Sequence, residues 1–394
     1  MVKERLWTKD FILIAFTNFL IYMVFYLLMA TIAAYAVDKF RASTGMAGLV
    51  SGIFIIGILI GRLLTGRIVE DVGSKKVLIT GTLFFIVTSA SYFFAVNLVL
   101  LVVIRFFHGA AYGVASTATG TIVAQIIPDK RRGEGIGYYS MSQILATALG
   151  PLVGILMSQH MDFRMIFLIS SIIAAVGFGV SFIISQPARK SAKQEVTQAA
   201  KGTHHSSFLE STAIPISIIV LIVGFIYSAV LSFISLYSQE LHLEKAASLF
   251  FVVYAVMVIV TRPFSGRLLD TKGANFVIYP CLLFFAIGMY LLGRTDHGLT
   301  LLLAGAIIGL GYGNFLSCGQ AIAIKGAPSN RLGLATATYY MFLDIGFGVG
   351  PYVFGSLVPF TGYGGLYLIM AAVVLATIIL YYFLYRDKES GQIP

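Results

Sequence analysis

Charged side chains set inside long apolar runs are where this sequence carries its chemistry, because each costs at least about 2.5–3.5 kcal/mol at the centre of a helix crossing hydrocarbon. Asp344 lies about a dozen residues into the apolar run 332–356, with Tyr340 one turn away on the same face. It is the only carboxylate that falls near the middle of such a run. Loss of water disfavours the charged form of a carboxylate unless a cation offsets it, which is the property a proton carrier needs. The competing reading is a structural ion pair with an arginine on a neighbouring helix. Arg105 enters the run 98–124 by about 10 Å at 1.5 Å per residue, and His108 and Tyr112 follow on nearly the same face. Arg62 and Arg262 lie about two turns from the ends of their runs, close enough to snorkel toward water.

Uncharged polar and aromatic groups complete a candidate substrate pocket: Asn18, Tyr22 and Tyr26 in the first run, His108 in the fourth, Gln143 in the fifth, Tyr227 in the seventh, Tyr254 in the eighth, Asn314 in the tenth and Tyr340 in the eleventh. Such groups offer stacking, cation–π attraction and adaptable hydrogen bonds to amphiphilic ligands. Each is also an ordinary packing residue.

The elements that must position these groups are announced by a charged, glycine-bearing turn that occurs twice. Arg62, Gly66, Arg67, Glu70 and Gly73 return two hundred residues later as Arg262, Gly266, Arg267, Asp270 and Gly273, with Asp71 beside Glu70 in the first copy only. The same register relates Gly109, Tyr112 and Gly113 to Gly309, Tyr312 and Gly313, and Gly150-Pro151 to Gly350-Pro351. A period this long exceeds that of a solenoid and marks two homologous halves. Each Gly-Pro pair sits inside an apolar run, where proline removes a backbone donor and is expected to kink the helix. Glycines at fourth positions, among them 48/52, 57/61, 109/113, 150/154 and 305/309/313, suit close helix approach in lipid.

Composition fixes the solvent. The chain is 58% hydrophobic and 11% charged, with a mean hydropathy of +0.90, far more apolar than a soluble core requires. Twelve runs long enough to span a bilayer can be placed, six per half: 11–37, 45–68, 76–96, 98–124, 135–157, 164–186, then 213–237, 246–268, 276–294, 299–323, 332–356 and 363–386. The first is too long for a cleaved signal peptide and is kept as a span. Lys and Arg fall nineteen on the side of the N-terminus against five on the other, which puts both termini in the cytoplasm and reads the net charge of +10 as topology and not nucleic-acid binding. The expected organisation is an N-terminal bundle 1–186, a cytoplasmic linker 187–212 and a C-terminal bundle 213–394. The linker is too polar to fold alone, and its His204-His205 pair lacks companions for a metal site. Cys281 and Cys318 sit in apolar runs as packing residues. No nucleotide loop, zinc-protease helix, nucleophile elbow or paired acid and base appears, so the expectation is a protein that is not an enzyme and holds no cofactor or metal.

These residues resemble the major facilitator superfamily over nearly the whole chain. The turn from Gly66 to Lys76 is similar to the family signature between helices two and three, although Glu70 stands where Asp is usual and Asp71 where Arg is usual. Arg105-Phe-Phe-His-Gly109 resembles the helix-four signature, whose Arg is linked to proton coupling. Gly137, Ala146, Gly150-Pro151 and Gly154 resemble the helix-five signature of antiporters. The resemblance implies an all-α polytopic membrane protein of two pseudo-symmetric six-helix bundles and is greatest to the 12-helix bacterial drug/proton antiporter branch. It implies secondary transport in a cell membrane, with efflux of small amphiphilic compounds in exchange for protons. On that reading Asp344 and Arg105 couple protons, the two repeated turns gate, and the Gly-Pro pairs shape cavity helices. An exporter of a metallophore or sugar, a proton-coupled importer, and a non-transporting receptor stay open as alternatives. The partners implied are a small-molecule substrate, protons and the bilayer, with no nucleic acid and with the oligomeric state left open, a monomer included.

Overall fold

The computed structural model describes residues 6–42, 44–185 and 208–389, and every regular element in them is helical. In order these are α1 (Lys9–Phe40), α2 (Thr44–Val72), α3 (Ser74–Ser91), α4 (Leu98–Ile126), α5 (Arg132–His160), α6 (Phe163–Ile183), α7 (Ile214–Glu240), α8 (Glu244–Lys272), α9 (Ala274–Gly293), α10 (Gly298–Ile308), α11 (Asn314–Lys325) and α12 (Leu332–Glu389). Helix is the only regular structure besides a closed barrel that satisfies its own backbone in lipid. Starts are marked by side-chain caps: Thr8 Oγ1 accepts from Phe11 N–H (3.2 Å) and Asn97 Oδ1 from Leu100 N–H (2.8 Å).

Twelve spans follow from these helices. α10 and α11 form one, joined through a π-helical turn at Gly309–Gly313. α12, whose apolar stretch Leu332–Tyr385 runs to 54 residues, is far longer than any bilayer needs, and its backbone leaves helical geometry at Gly362 (φ 65°). Two spans therefore meet there, in the gap expected between 356 and 363. Large apolar side chains such as Leu64 and Phe264 stand exposed along the outside, where acyl chains take the place of water.

One expectation needs correction. The repeated turns are not loops: α2 runs unbroken through Arg62, Gly66, Arg67, Glu70 and Asp71 to Val72, and only Gly73 (φ 96°) intervenes before α3. Gly273 (φ 87°) does the same between α8 and α9. A backbone of this kind is open only to glycine, so one residue suffices to reverse the chain. Pro151 and Pro351, expected to kink their spans, lie inside helices that continue through both. The glycines before them are there for contact: a Cβ on Gly150 would strike Tyr26 of α1, and one on Gly350 would strike Ser228 of α7.

By contacts the chain forms two units. The first holds 1–128, 149–213 and 326–338, and the second 129–148, 214–325 and 339–394. The units depart from the sequence halves at two places, the start of α5 and the start of α12. Inside the first unit α2 and α4 meet along the glycine rows 57/61 and 109/113, where an added methyl would enter the partner's backbone. Cys281 and Cys318 are free and buried in the second unit. The segment 186–207, with His204 and His205, lies outside the described residues.

Candidate functional site

Arg62 and Arg262, expected to snorkel toward water, are buried, each 1% exposed. In the first unit Arg105 is fully buried as well. Its Nε donates to the carbonyl of Val50 (3.0 Å), its guanidinium lies over the ring of Phe54 (4.3 Å), and one terminal nitrogen donates to Tyr92 Oη (3.4 Å). Tyr92 Oη is 3.0 Å from His108 Nδ1, and His108 Nε2 is 3.1 Å from Ser89 Oγ. Arginine can only donate, so Tyr92 accepts from it and is free to donate to His108 Nδ1. That leaves the His108 proton on Nε2, donated to Ser89. Both ring nitrogens are then engaged, so His108, expected at the substrate, belongs to an internal wire instead. The second terminal nitrogen of Arg105 is buried with no hydrogen-bond partner among the described residues.

Beside this wire Tyr112 packs against Tyr22, Phe25 and Phe54 at centroid distances of 5.0–5.7 Å. Tyr26 stands half-buried next to Tyr22 (6.3 Å). Asn18 is buried and accepts from Thr119 Oγ1 (3.1 Å).

The second unit repeats the aromatic cluster two hundred residues on. Tyr312 stacks on Tyr227 (3.8 Å) and contacts Phe285 (5.5 Å), while Tyr254 stacks on Tyr227 (5.7 Å). Tyr312 rides on the π-turn, the kind of local irregularity that recurs at functional positions. Asn314 is wholly used internally: its amide donates to Thr261 Oγ1 (2.8 Å) and Leu310 O (3.0 Å), and its carbonyl accepts from Ser265 (2.8 Å). Arg262 is likewise interior, donating to Gly313 O and Ser317 Oγ. Tyr340 donates to Gln320 Oε1 (3.0 Å). Asp344 and Gln143 are half-buried in the same unit. Among the described residues no other carboxylate lies so far from a helix end, about 18 Å along α12 from its start at 1.5 Å per residue.

The repeated motif forms two reciprocal contacts at helix starts. Asp270 accepts from the backbone N–H groups of Gly133 (2.8 Å) and Glu134 (2.9 Å), the first turn of α5. Glu134 in turn binds Arg131 (2.8 Å) and Arg267 (3.0 Å). In the other copy Glu70 accepts from Gly333 N–H (2.9 Å) at the start of α12 and from Gln125 (3.3 Å), whose carbonyl accepts from Ser74 (2.7 Å). A carboxylate at a helix N-terminus satisfies orphan amides and meets the positive end of the dipole. Glu70, not Asp, makes the first contact, and Asp71 beside it is exposed without a partner among the described residues. Gly66 and Gly266 let backbones close in beside Ala337 and Gly133 respectively.

The sequence profile of the Major Facilitator Superfamily matches residues 14–298 and 246–394. The chain belongs to that family. It is similar to the multidrug resistance protein MdtG of Escherichia fergusonii, 22% identical over 98% of this chain and 97% of that one. It is also similar to the staphylopine export protein of Staphylococcus aureus, 22% identical over 86% and 87%. Its fold matches the human organic anion transporter MFSD10 with a TM-score of 0.75, over 95% of this chain and all of that one, at 14% identity. The expected fold class and family are thus borne out, and the protein is a multi-pass membrane transporter, not an enzyme.

Ser89, Tyr92, Gln125, Glu134 and Gln320 escaped the sequence reading. Only Glu134 carried a usable signal, an acidic residue in a first helical turn.

Proposed function

We propose that the transporter is a proton-coupled exporter of small amphiphilic compounds, working in the cell membrane with both termini cytoplasmic. The observation that carries the reading is Asp344, a half-buried carboxylate remote from any helix end in a chain of this family. Resemblance to a multidrug resistance protein and to an export protein supports outward traffic. Transport proceeds by alternating access, the common scheme of repeat-built transporters. Asp344 carries the proton and Arg105 tunes its transfer. The aromatic clusters around Tyr22 and Tyr26 and around Tyr227 and Tyr254, with Gln143, hold substrate.

Glu70 on Gly333 and Asp270 on Gly133 and Glu134 tie each half's motif to the other half's helix start. They act as cytoplasmic gates that break when the protein opens inward. One charge falling through 100 mV supplies about 2.3 kcal/mol, a roughly fifty-fold substrate gradient.

The deciding experiment is proton efflux from acid-loaded everted vesicles challenged with cationic dyes, neutral amphiphiles, sugars and anionic chelators. A compound that collapses the gradient with the parent chain but not with Asp344→Asn establishes antiport and the substrate class together. Unchanged coupling in Asp344→Asn removes that residue from the mechanism. A second reading, export of one anionic metabolite, is favoured by the unpartnered buried nitrogen of Arg105 and gives a response to the chelators alone.

A further inference from the structure

The two helix-start contacts differ in one respect that the repeat makes visible. In the Asp270 contact the ion pairs are built in: Glu134, two residues into α5, joins Arg131 to Arg267. The corresponding positions around Glu70 are Arg331, Leu334 and Arg67, so the basic residues are kept and the carboxylate is replaced by leucine. Both arginines have nevertheless found partners, and both come from the last residues before α7. Glu210 Oε2 lies 3.0 Å from Arg331 Nε, and the guanidinium of Arg67 lies 3.3 Å over the ring of Phe208. Glu210 is 1% exposed. Its backbone N–H donates to Thr338 Oγ1 (2.9 Å), and Oε1 accepts from Thr212 Oγ1 (3.0 Å). These fixings hold the segment 208–212 as a strap across the starts and ends of the helices that the Glu70 contact joins.

We propose that this strap is a conformational device: the end of the linker supplies from outside the repeat the carboxylate that Leu334 lacks, and so holds the Glu70–Gly333 contact closed. The Asp270 contact closes by itself, whereas the Glu70 contact closes only while the strap is seated. Whatever displaces Phe208 and Glu210 therefore loosens one gate and leaves its twin intact. The inference rests on the reading of these contacts as gates, and the test below separates the two.

The measurement is amide hydrogen exchange of the full-length protein in lipid nanodiscs, followed at Gly333 and Leu334 and, as internal control, at Gly133 and Glu134. In Phe208→Ala/Glu210→Ala a half-exposed arginine's ion pair with a buried carboxylate and a cation–π contact are lost together, so exchange at the start of α12 rises about tenfold. Exchange at the start of α5 stays as in the parent. Adding Leu334→Glu, which rebuilds the arrangement of the twin contact, brings the rate back. Should the double variant fail to fold, Glu210→Gln keeps the shape and removes the charge, and a rise confined to Gly333 and Leu334 is again expected. No rise, an equal rise at both helix starts, or a rise that Leu334→Glu leaves uncorrected overturns the strap. A selective, rescued rise with transport unaltered keeps the strap and overturns the gating role of the contact.

Discussion

Asp270→Asn removes one of the two oxygens that receive the opening amides of α5, and the two contacts of the repeat should respond to such neutralisation unequally. Asp270 receives two backbone N–H groups, at 2.8 and 2.9 Å. Asparagine keeps one acceptor, now uncharged, and turns an NH2 toward the other donor. A hydrogen bond to a charged group contributes about 1.5–3 kcal/mol, and the charge on the helix dipole adds about 0.3–1 kcal/mol. The net loss is about 2–3 kcal/mol. Glu70→Gln is milder, because one oxygen still accepts from Gly333 N–H and the Gln125 amide can rotate to offer its carbonyl to the new NH2. Its loss is about 1 kcal/mol, chiefly the charge–dipole contribution. First-turn amides have no intrahelical acceptor, so their hydrogen exchange reports the cap directly. At 1.36 kcal/mol per factor of ten, exchange at Gly133 and Glu134 should quicken roughly 30- to 150-fold in Asp270→Asn. Exchange at Gly333 should quicken about fivefold in Glu70→Gln. Equal responses, or a larger one at Gly333, would refute the claim that these carboxylates act as caps of unequal strength.

Three further outcomes are expected. Tyr92→Phe leaves His108 Nδ1 and a nitrogen of Arg105 without their shared partner, at a cost of about 1–3 kcal/mol; a lowered melting temperature checks it, and an unchanged one means the wire contributes nothing. Gly73→Ala and Gly273→Ala place a side chain where φ is 96° and 87°, which costs about 1–3 kcal/mol each. Either should lower thermal stability, while Gly52→Ala, with open space at its Cβ, should not. Gly350→Val drives a branched side chain into Ser228 of α7 and should abolish folded protein in the membrane, whereas Gly355→Val, with nothing near it, is tolerated; equal expression of both would show that α7 and α12 can separate.

The sequence made the fold readable because its signals were long and repeated. A run of apolar residues longer than a bilayer requires has few alternatives to a spanning helix, and the register of two hundred paired Tyr112 with Tyr312 and Glu70 with Asp270 before any helix was placed. The same register contained the reciprocity of the contacts, since Gly133 and Gly333 are also related by it. What was not legible depended on neighbours from elsewhere in the chain. The wire from Arg105 through Tyr92 to His108 needs α3 and α4 side by side, and nothing in the spacing of Ser89 and Tyr92 announces it. His108 looked like a ligand group because a histidine in an apolar run has no visible reason to be there; its reasons sit sixteen and nineteen residues away. The strap was hidden more thoroughly, because Glu210 belongs to a stretch whose composition reads as solvated linker, and its partner Arg331 is remote in sequence.

Symmetry and its absence divide the labour in this chain. Several elements are duplicated: the single-glycine reversals at 73 and 273, the capping carboxylates at 70 and 270, the tyrosines at 112 and 312. Arg105, His108 and Asp344 are not. The position related to Arg105 is Gly305, that related to His108 is Ile308, and that related to Asp344 is Ile144. A rocking cycle needs two comparable bodies, which duplication supplies. Directional coupling needs the reverse, since a proton site present equally in both halves would release to either side without preference. On this argument, an acid added at Ile144 to mirror Asp344 should not strengthen transport. It should open a second proton path and uncouple it, seen as a proton leak through Ile144→Asp in vesicles without substrate. If Ile144→Asp stays tight and transports at the parent rate, the asymmetry of the charged groups has no part in coupling.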